Sequence, residues 1–392
     1  MSAVYLQYMA WTSALGTGAA ARDALFATAP QGVAPTDRYT PGRLLHLGRV
    51  AAALPAWDEE PVRFRSRSNA LLASLLPQLQ PAVHGALARF GPARVAVVLG
   101  ISAAGLDEGV AAARHFAEHA QWPQGYDYAQ QEMGNGAAFL ARALGTRGPA
   151  YTVSTACSSG AKALASAARL LRAGIADAVV AGGVDALSGF TIAGFSALES
   201  VSAARCNPLS RNRAGINLGE GAALFLLGRD AGPVRLAGWG ESSDAHHMSA
   251  PEPSGRGALA AMRQALQRAQ LGPEAIDYVN LHGTATPQND AMESLAVATL
   301  LGHDVPVSST KPLTGHALAA AGAIEAAIAW YTLVDNGGGR LPPHWWDGER
   351  DAALPPVRVA QPGETLGRTP RYVLSNSFAF GGSNASLVLA GE

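Results

Sequence analysis

The chain has 392 residues, which at roughly 100–200 residues per domain is enough for two or three domains or for one large duplicated one. Hydrophobic residues make up 48% and charged residues only 15%, a composition that excludes a disordered chain. With 29 Lys and Arg against 30 Asp and Glu, the net charge of −1 supplies no overall field for holding nucleic acid. An acidic partner would need a local basic patch.

The N-terminal and cysteine patterns indicate a cytoplasmic protein. Met1–Pro30 lacks the basic start and cleavage signal of an exported protein. Cys157 and Cys206 are too few for a disulfide framework or a zinc site of their own. The longest apolar stretch, Ala317–Val334, is rich in Ala and contains Glu325, so it predicts a buried helix rather than a membrane span. We therefore expect neither a membrane nor a nucleic acid as a partner.

Short apolar runs typical of buried strands alternate with helical patterns along the chain. This alternation predicts a layered α/β fold. The predicted strands are Val95–Leu99, Ala150–Ser154, Ala178–Ala181, Ala222–Leu227, Val234–Trp239, Tyr278–Leu281, Val305–Ser308 and Tyr372–Ser375. The predicted helices are Gly160–Ala173, Arg256–Ala269, Asp290–Leu301 and His316–Val334. The Pro-rich segment Leu341–Pro356 predicts a surface excursion before the last strands.

One internal similarity suggests a duplication. Segments Ser154–Gly160 and Ser309–Gly315 both begin with Ser-Thr and end with Gly, and they lie 155 residues apart. In each copy a strand is expected to lead into a tight turn and then an Ala-rich helix. We interpret the chain as two related halves, residues 1–230 and 231–392, that meet near Asp230.

Cys157 lies after an apolar strand and just before a helix. A thiol there faces the positive end of the helix dipole and free backbone N–H groups, which stabilise a thiolate and lower its pKa. The same N–H groups can later hold an oxyanion. The alternative is a small buried apolar residue, a common environment for a lone cysteine.

Two histidines follow strands in turns rich in glycine and threonine. His282 begins His-Gly-Thr-Ala-Thr-Pro, and His316 ends Thr-Lys-Pro-Leu-Thr-Gly-His. Residues at strand ends of an α/β sheet face the crevice where ligands bind, although either histidine could instead be a core residue. The adjacent His246 and His247 are a weak metal signal, because no third ligand is evident. We therefore predict no metal.

Two further features could belong to the same crevice. Glu325 lies in an apolar helix, where an unpaired carboxylate is costly, so we expect it to pair with Lys311 unless it reaches solvent at the helix edge. The segment Asn376–Asn384 has two Phe residues before a glycine pair. Such a pair permits a turn that brings backbone N–H groups close to a ligand.

Taken in order, these motifs resemble those of the elongating β-ketoacyl-acyl carrier protein synthases. The matching segments are Thr155–Gly160, His282–Pro287, Thr310–His316 and Asn376–Asn384, with Ser242–Met248 as a fifth. The resemblance implies the thiolase fold, a duplicated five-layer αβαβα architecture, and an obligate homodimer. It implies no cofactor beyond the phosphopantetheine that the acyl carrier protein substrate carries.

The resemblance also implies a decarboxylative Claisen condensation. Cys157 would accept the acyl group from a carrier thioester. His282 and His316 would then donate hydrogen bonds to the carbonyl oxygen of a malonyl carrier thioester and stabilise the enolate that forms as carbon dioxide leaves. Backbone N–H groups of Cys157 and Phe380 would hold the second oxyanion, and Phe380 would also gate the acyl and malonyl pockets.

The remaining expected roles concern positioning and substrate binding. The resemblance implies that Lys311 orients the site and is balanced by Glu325, and that Thr284 and Thr286 hydrogen-bond the phosphopantetheine arm. It places Ala103 in the acyl pocket near the dimer interface, where a small residue would admit bulky chains. Arg63, Arg65 and Arg67 form the densest basic cluster and are predicted to dock the acidic carrier, although a solvated face is the alternative.

Two segments depart from the family pattern, namely Ala10–Gly16 and Pro208–Arg213. They favour a specialised pathway, similar to aryl polyene pigment clusters, over primary fatty-acid synthesis. A heterodimer with a related subunit is then an alternative to the homodimer.

The same residues disfavour three other functions. A non-catalytic subunit of the chain-length-factor type usually lacks the cysteine that is present here as Cys157. A cysteine hydrolase would need one histidine with an orienting amide or acid rather than two histidines and a lysine. A degradative thiolase would need a second cysteine in the last loop, and Cys206 lies far upstream of it.

Overall fold

In a computed structural model that describes residues 3–56 and 59–392, a large mixed β-sheet is flanked by helices. The strands are β1 (Tyr5–Ser13), β2 (Gly16–Thr17), β3 (Ala34–Thr36), β4 (Leu45–Leu47), β5 (Val95–Gly100), β6 (Ala150–Val153), β7 (Ala178–Asp185), β8 (Gly221–Gly228), β9 (Val234–Ser243), β10 (Tyr278–Asn280), β11 (Pro306–Ser308), β12 (Arg358–Val359), β13 (Tyr372–Ala379) and β14 (Ser383–Gly391). The α-helices are α1 (Gly18–Leu25), α2 (Arg67–Ala73), α3 (Leu76–Phe90), α4 (Leu106–His119), α5 (Asn135–Leu144), α6 (Ser159–Arg172), α7 (Gly189–Ala197), α8 (Arg256–Ala269), α9 (Pro287–Leu301), α10 (Lys311–Thr314) and α11 (Ala321–Leu333). All eight predicted strands are present, within a few residues of the expected bounds.

The two halves of the chain have the same strand order. The first half is ordered β6-β5-β7-β8-β1 and the second β11-β10-β13-β14-β9, with β12 added at the edge beside β11. In each half the first three strands pair in parallel. The fourth strand is antiparallel to the third, and the fifth is antiparallel to the fourth. Antiparallel pairing of Tyr5 with Arg235 and Leu6 with Val234 joins β1 to β9. This repetition supports a duplicated fold, and the predicted boundary near Asp230 lies between β8 and β9.

Alternating strand residues divide the molecule into five layers, because successive side chains of a strand point to opposite faces. Val97 of β5 packs in one apolar cluster with the outer helices α2, α3 and α5, whereas Val98 packs in a second cluster with α6 and α11. In the second half, Leu387 of β14 faces α6 and α11, and Val388 faces the outer helices α8 and α9. The expected αβαβα architecture is therefore present, with α6 and α11 in the middle.

The two central helices touch through glycine and alanine. A Cβ on Gly160 would lie 2.8 Å from both Ala319 O and Ala323 N, and one on Gly322 would lie 2.9 Å from Ala161 N. Only glycine fits at these crossings, because such distances are below van der Waals contact. The Ala-rich composition of both helices follows from this close approach. In the described part of the chain, no helix is long and apolar enough to cross a membrane.

The structure corrects the register of the internal repeat. Strands β6 and β11 end 155 residues apart, at Val153 and Ser308, as the repeat requires. Helices α6 and α11 begin 162 residues apart, at residues 159 and 321. The second half thus has seven more residues between strand and helix, and these include α10. The counterpart of Gly160 is Gly322, so the predicted match of Gly160 to Gly315 is wrong.

Two other predicted elements also differ in detail. The helix expected over His316–Val334 begins at Ala321, because Leu318 has a φ of 48° and Ala319 N–H donates to the Asp185 carboxylate at 2.8 Å. The expected surface excursion Leu341–Pro356 begins in the core, because His344 is buried. Its Nδ1 accepts from Ser309 N–H at 3.1 Å, so this segment braces the turn before α10.

Candidate active site

The predicted nucleophile lies in a tight turn between β6 and α6. Ala156 has a φ of 49°, a left-handed conformation that turns the chain sharply before Cys157. Thr155 N–H donates to Ser159 Oγ at 2.8 Å, and that hydroxyl donates to Ala156 O at 2.6 Å. The turn is thus held by its own polar side chains. Cys157 is 5% exposed and lines a cavity.

His282 is fixed by a buried carboxylate on α9. The N–H groups of His282 and Gly283 donate to the two oxygens of Glu293 at 2.8 and 2.7 Å. Burial raises the pKa of Glu293 to about 7, although these two hydrogen bonds oppose the rise. A nearby carboxylate, Asp290, accepts from Ala285 N–H at 3.1 Å and holds the same turn.

His316 is clamped between two backbones. Its N–H donates to Asn217 O at 2.6 Å, and its carbonyl accepts from Gly219 N–H at 2.9 Å. The backbones of Gly315 and Gly219 approach so closely that a Cβ on Gly315 would lie 2.8 Å from the Gly219 Cα, so glycine is required there. The imidazole therefore has a fixed position relative to the rest of the site.

The structure brings the three predicted chemical groups together. One ligand-type atom from each of Cys157, His282 and His316 lies within 4.8 Å of the other two, and all three residues are buried. His316 Nε2 is 3.0 Å from the Cys157 Sγ. The two imidazole rings are nearly perpendicular, with centroids 5.2 Å apart. A small group placed among these atoms would contact all three side chains.

Both imidazoles are neutral at neutral pH. Burial, followed by the positive charge of Lys311, holds the pKa of each histidine well below its usual value, and a proton on His316 would lower the pKa of His282 further. A neutral imidazole has one N–H to donate and one nitrogen to accept a proton.

The sequence-based expectation for the thiol pKa is wrong in this structure. Burial raises the pKa of Cys157 to about 12, and the positive charge of Lys311 only partly offsets this effect. Desolvation is the largest effect because the sulfur is buried, and the negative charges of Asp185 and Glu325 raise the pKa further. The resting group is therefore a thiol, and His316 at 3.0 Å is placed to take its proton.

The expected ion pair lies behind the cavity. Lys311 Nζ donates to Glu325 Oε1 at 2.6 Å, and the two side chains are only 2% and 4% exposed. Glu325 Oε2 has no hydrogen-bond partner among the described residues. Burial raises the pKa of Glu325, and Lys311 opposes the rise. Neither side chain lines the cavity, so Lys311 acts on the site through its charge.

The cavity mouth contains the other predicted binding residues. The Thr284 and Thr286 hydroxyls are 3.0 Å apart on one wall, and the Phe380 ring packs against Phe195 with centroids 5.6 Å apart. Sequence reasoning missed several lining residues: Phe195, Ser200, Ile216, Asp244, Ser249, Pro251, Gln288, Asn289, Phe378, Ala379 and Asn384. Asp244 and Asn384 belong to motifs that were recognised, but nothing in the sequence showed that they share one wall.

Of two predictions for substrate contacts, one stays a prediction and the other needs correction. Ala103 is buried, its N–H donates to Asp185 at 2.8 Å, and it is not among the described residues that line this cavity, so its place in an acyl pocket near a dimer interface stays a prediction. Arg67 is engaged within the fold, because it donates to both oxygens of the buried Glu220 at 2.7 and 2.5 Å. It is therefore not free to dock a carrier. Arg63 is exposed and Arg65 half-buried, and their docking role stays a prediction.

The three-residue cluster has the spacing of a possible metal site. A soft divalent cation such as zinc could contact all three groups if the Cys157 thiol lost its proton. The nearby charge of Lys311 opposes a cation there.

The adjacent His246 and His247 were the other candidate metal ligands. His247 Nδ1 accepts from the N–H groups of Ser249 and Ala250, so this nitrogen stabilises the conformation of its own loop.

Comparison with known families decides the class. The model of the β-ketoacyl synthase N-terminal domain matches residues 84–231, and that of the β-ketoacyl synthase C-terminal domain matches residues 234–343. This chain belongs to the β-ketoacyl synthase family. The thiolase fold and the recognition by motif are thereby confirmed.

Curated relatives of this β-ketoacyl synthase include 3-oxoacyl-[acyl-carrier-protein] synthase 2 of Vibrio cholerae serotype O1, 35% identical over 274 residues. The enzyme of the same name from Rhizobium meliloti is 37% identical over 262 residues. The matched stretch covers 62% of this chain in both cases, and 63% and 61% of the respective relatives, which is less than two thirds of their length.

Solved structures also match over the whole of this chain. The ketosynthase (ApeO) in complex with its chain length factor (ApeC) from Xenorhabdus doucetiae matches with 42% identity and a TM-score of 0.94, over 100% of this chain and 98% of that one. A β-ketoacyl synthase from Burkholderia phymatum STM815 matches with 28% identity and a TM-score of 0.87, over 100% of both chains.

Proposed function

We propose that this chain is a 3-oxoacyl-[acyl-carrier-protein] synthase that joins a Cys157-bound acyl group to a malonyl carrier thioester with loss of carbon dioxide. The observation that carries the proposal is the cluster of Cys157, His282 and His316, with His316 Nε2 3.0 Å from the sulfur. A chain-length-factor-like partner is the alternative. It is disfavoured because a chain that only shapes the product needs no such cluster.

In the first half-reaction, the Cys157 thiol gives its proton to neutral His316 and the sulfur attacks the acyl thioester. The carrier thiol leaves and takes up that proton. Backbone N–H groups of Cys157 and Phe380 hold the oxyanion of the tetrahedral intermediate. His316 thus compensates for the high pKa that burial imposes on the thiol.

In the second half-reaction, the malonyl thioester occupies the same cavity. Its carbon–carbon bond to the carboxylate breaks, carbon dioxide leaves, and the electron pair forms an enolate whose oxygen accepts hydrogen bonds from His282 and His316. The enolate carbon attacks the acyl-Cys157 carbonyl. Collapse of that intermediate expels the Cys157 thiolate, which takes up a proton from solvent, and leaves a 3-oxoacyl carrier thioester. Neutral imidazoles suit this step because they donate without carrying a charge of their own.

The proposal extends to the substrate arm and to the partners. Thr284 and Thr286 line the mouth and would hydrogen-bond the phosphopantetheine that the acyl carrier protein brings, so no resident cofactor is required. The relative from Xenorhabdus doucetiae is paired with a chain length factor, and we propose a comparable heterodimer, or a homodimer, for this chain. The 42% identity to that ketosynthase, which is in complex with a chain length factor, supports a specialised pathway over primary fatty-acid synthesis, and we propose the aryl polyene type that the sequence resembles.

The test separates the two half-reactions. Cys157→Ala should abolish condensation, whereas Cys157→Gln, which resembles an acylated cysteine, should keep or increase carbon dioxide release from malonyl carrier protein. Intact-mass spectrometry of the wild type with a panel of acyl carriers should place the acyl mass on Cys157. Condensation by the Cys157→Ala variant at the wild-type rate would refute the proposal.

A further inference from the structure

Lys162 is placed against the usual electrostatic rule for helices. It is the fourth residue of α6, near the end where the helix dipole is positive and where acidic side chains are favoured. The side chain is half-buried, and burial together with the charge of Arg169 lowers its pKa. Among the described residues, no carboxylate lies within ion-pair distance of its Nζ. Packing alone does not explain a cation there.

The ammonium instead donates to one hydroxyl next to the active site. Lys162 Nζ is 2.6 Å from Ser383 Oγ, and Ser383 is the residue directly after the Phe380–Gly382 turn. Ser383 Oγ also lies 3.2 Å from the hydroxyl of Ser158, the residue after Cys157. The Ser158 hydroxyl in turn donates to Thr155 O at 2.8 Å. This chain of contacts joins the nucleophile turn to the Phe380 turn.

The other side of the Phe380 turn is held by a different segment. Gly381 N–H donates to Met248 O at 2.8 Å, and Gly382 O accepts from Asp244 N–H at 2.9 Å. Gly381 and Gly382 both have positive φ, and because glycine adopts negative φ about as readily, other backbone conformations are open to the turn. The contacts of Ser383 with Lys162 and Ser158 join this turn to the turn that holds Cys157.

We propose that Lys162 is a positioning residue that acts through Ser383 to align the backbone N–H of Phe380 with that of Cys157. This inference rests on the proposed function, in which those two N–H groups share one oxyanion. The alignment matters whenever the acyl carbonyl becomes tetrahedral, which includes acylation of Cys157. It matters much less for decarboxylation, where the enolate oxygen contacts His282 and His316.

The experiment measures the two steps separately. In Lys162→Met, acylation of Cys157 followed by intact mass should slow about tenfold, the scale expected when one charge-assisted hydrogen bond is lost. Ser383→Ala should have a similar effect, and the double variant should be no slower than either single one, because both changes break the same contact. Lys162→Arg, which keeps a cationic donor, should recover most of the rate.

Controls distinguish positioning from a loss of folding. Ser166 lies one turn after Lys162 on α6, and its hydroxyl contacts Tyr151 and not the Phe380 turn. In Ser166→Ala, acylation should therefore stay at the wild-type rate. Carbon dioxide release should fall less than threefold when Lys162→Met is added to Cys157→Gln. Wild-type acylation in Lys162→Met, or an equal loss in both steps, would overturn the inference. If the wild type is acylated but does not condense, the proposed function fails while the acylation assay still tests Lys162.

Discussion

The buried pair of Lys311 and Glu325 offers the sharpest test of the electrostatics of this site. Lys311 is the only described hydrogen-bond donor to Glu325, at 2.6 Å, and neither side chain is more than 4% exposed. Lys311→Met leaves the carboxylate in the core without a cation. Removing one partner of a buried pair typically costs about 3–5 kcal/mol. We expect the free energy of unfolding to fall by that amount at alkaline pH.

The loss should depend on pH in a definite direction. Burial already raises the pKa of Glu325 above its value of 4.5 in an unfolded chain, and removing Lys311 raises it further. The folded state then binds a proton on Glu325 more tightly than the unfolded state does. The contribution of Glu325 to the free energy of unfolding is therefore greatest at low pH and falls as the pH rises to the folded pKa. The variant should therefore keep losing stability, about 1.4 kcal/mol per pH unit, where the wild type has levelled off.

Urea unfolding followed by circular dichroism at pH 6, 7, 8 and 9 measures this difference. The matched control is Lys311→Met/Glu325→Leu, in which two apolar side chains replace the pair and stability should return to near the wild-type value with no added pH dependence. The histidines lose a positive neighbour in both variants, so their pKa should rise and the acid limb of the condensation rate should move to higher pH. A double variant as unstable as the single one would refute this reasoning.

Two further predictions follow from the site and its surroundings. His282→Ala and His316→Ala should each slow decarboxylation by about 10²-fold, the usual scale for one oxyanion donor, and only His316→Ala should also slow acylation of Cys157 strongly, as seen by intact mass. Equal acylation in both variants would contradict the role of His316 as base. Arg67→Ala should destabilise the fold by about 3–5 kcal/mol, because the buried Glu220 loses its cation, whereas Arg63→Glu should raise the KM for acyl carrier protein without changing the melting temperature. A stable Arg67→Ala variant with only a raised KM would restore the docking prediction.

Sequence patterns identified the elements that local chemistry determines. The strand Val95–Leu99 and the helix Arg256–Ala269 could be predicted because hydrophobic periodicity and turn residues depend on neighbours along the chain. The pair of Lys311 and Glu325 could be predicted as well, since a lone carboxylate in an apolar helix needs a partner and few cations were close in sequence.

Other features depend on contacts between distant segments. Arg67 and Glu220 are 153 residues apart, so nothing in the basic cluster Arg63–Arg67 indicated that one member was already engaged. The raised pKa of Cys157 could not be predicted for the same reason, because the start of the helix is visible in the sequence but the burial of the sulfur is not. Glu293 could have been suspected from its place on α9 directly after the His282 turn.

The duplication explains how two equivalent turns give one asymmetric site. In each half the site begins where a parallel strand, β6 or β11, ends before a central helix. The first half passes directly into α6 and presents Cys157 at the turn, whereas the second half has seven more residues there, which form α10 and supply Lys311 and then His316. Because α6 and α11 cross at glycine and alanine contacts, both turns open toward the same cavity. The inserted turn therefore gives the second half a cation and a base opposite the nucleophile of the first.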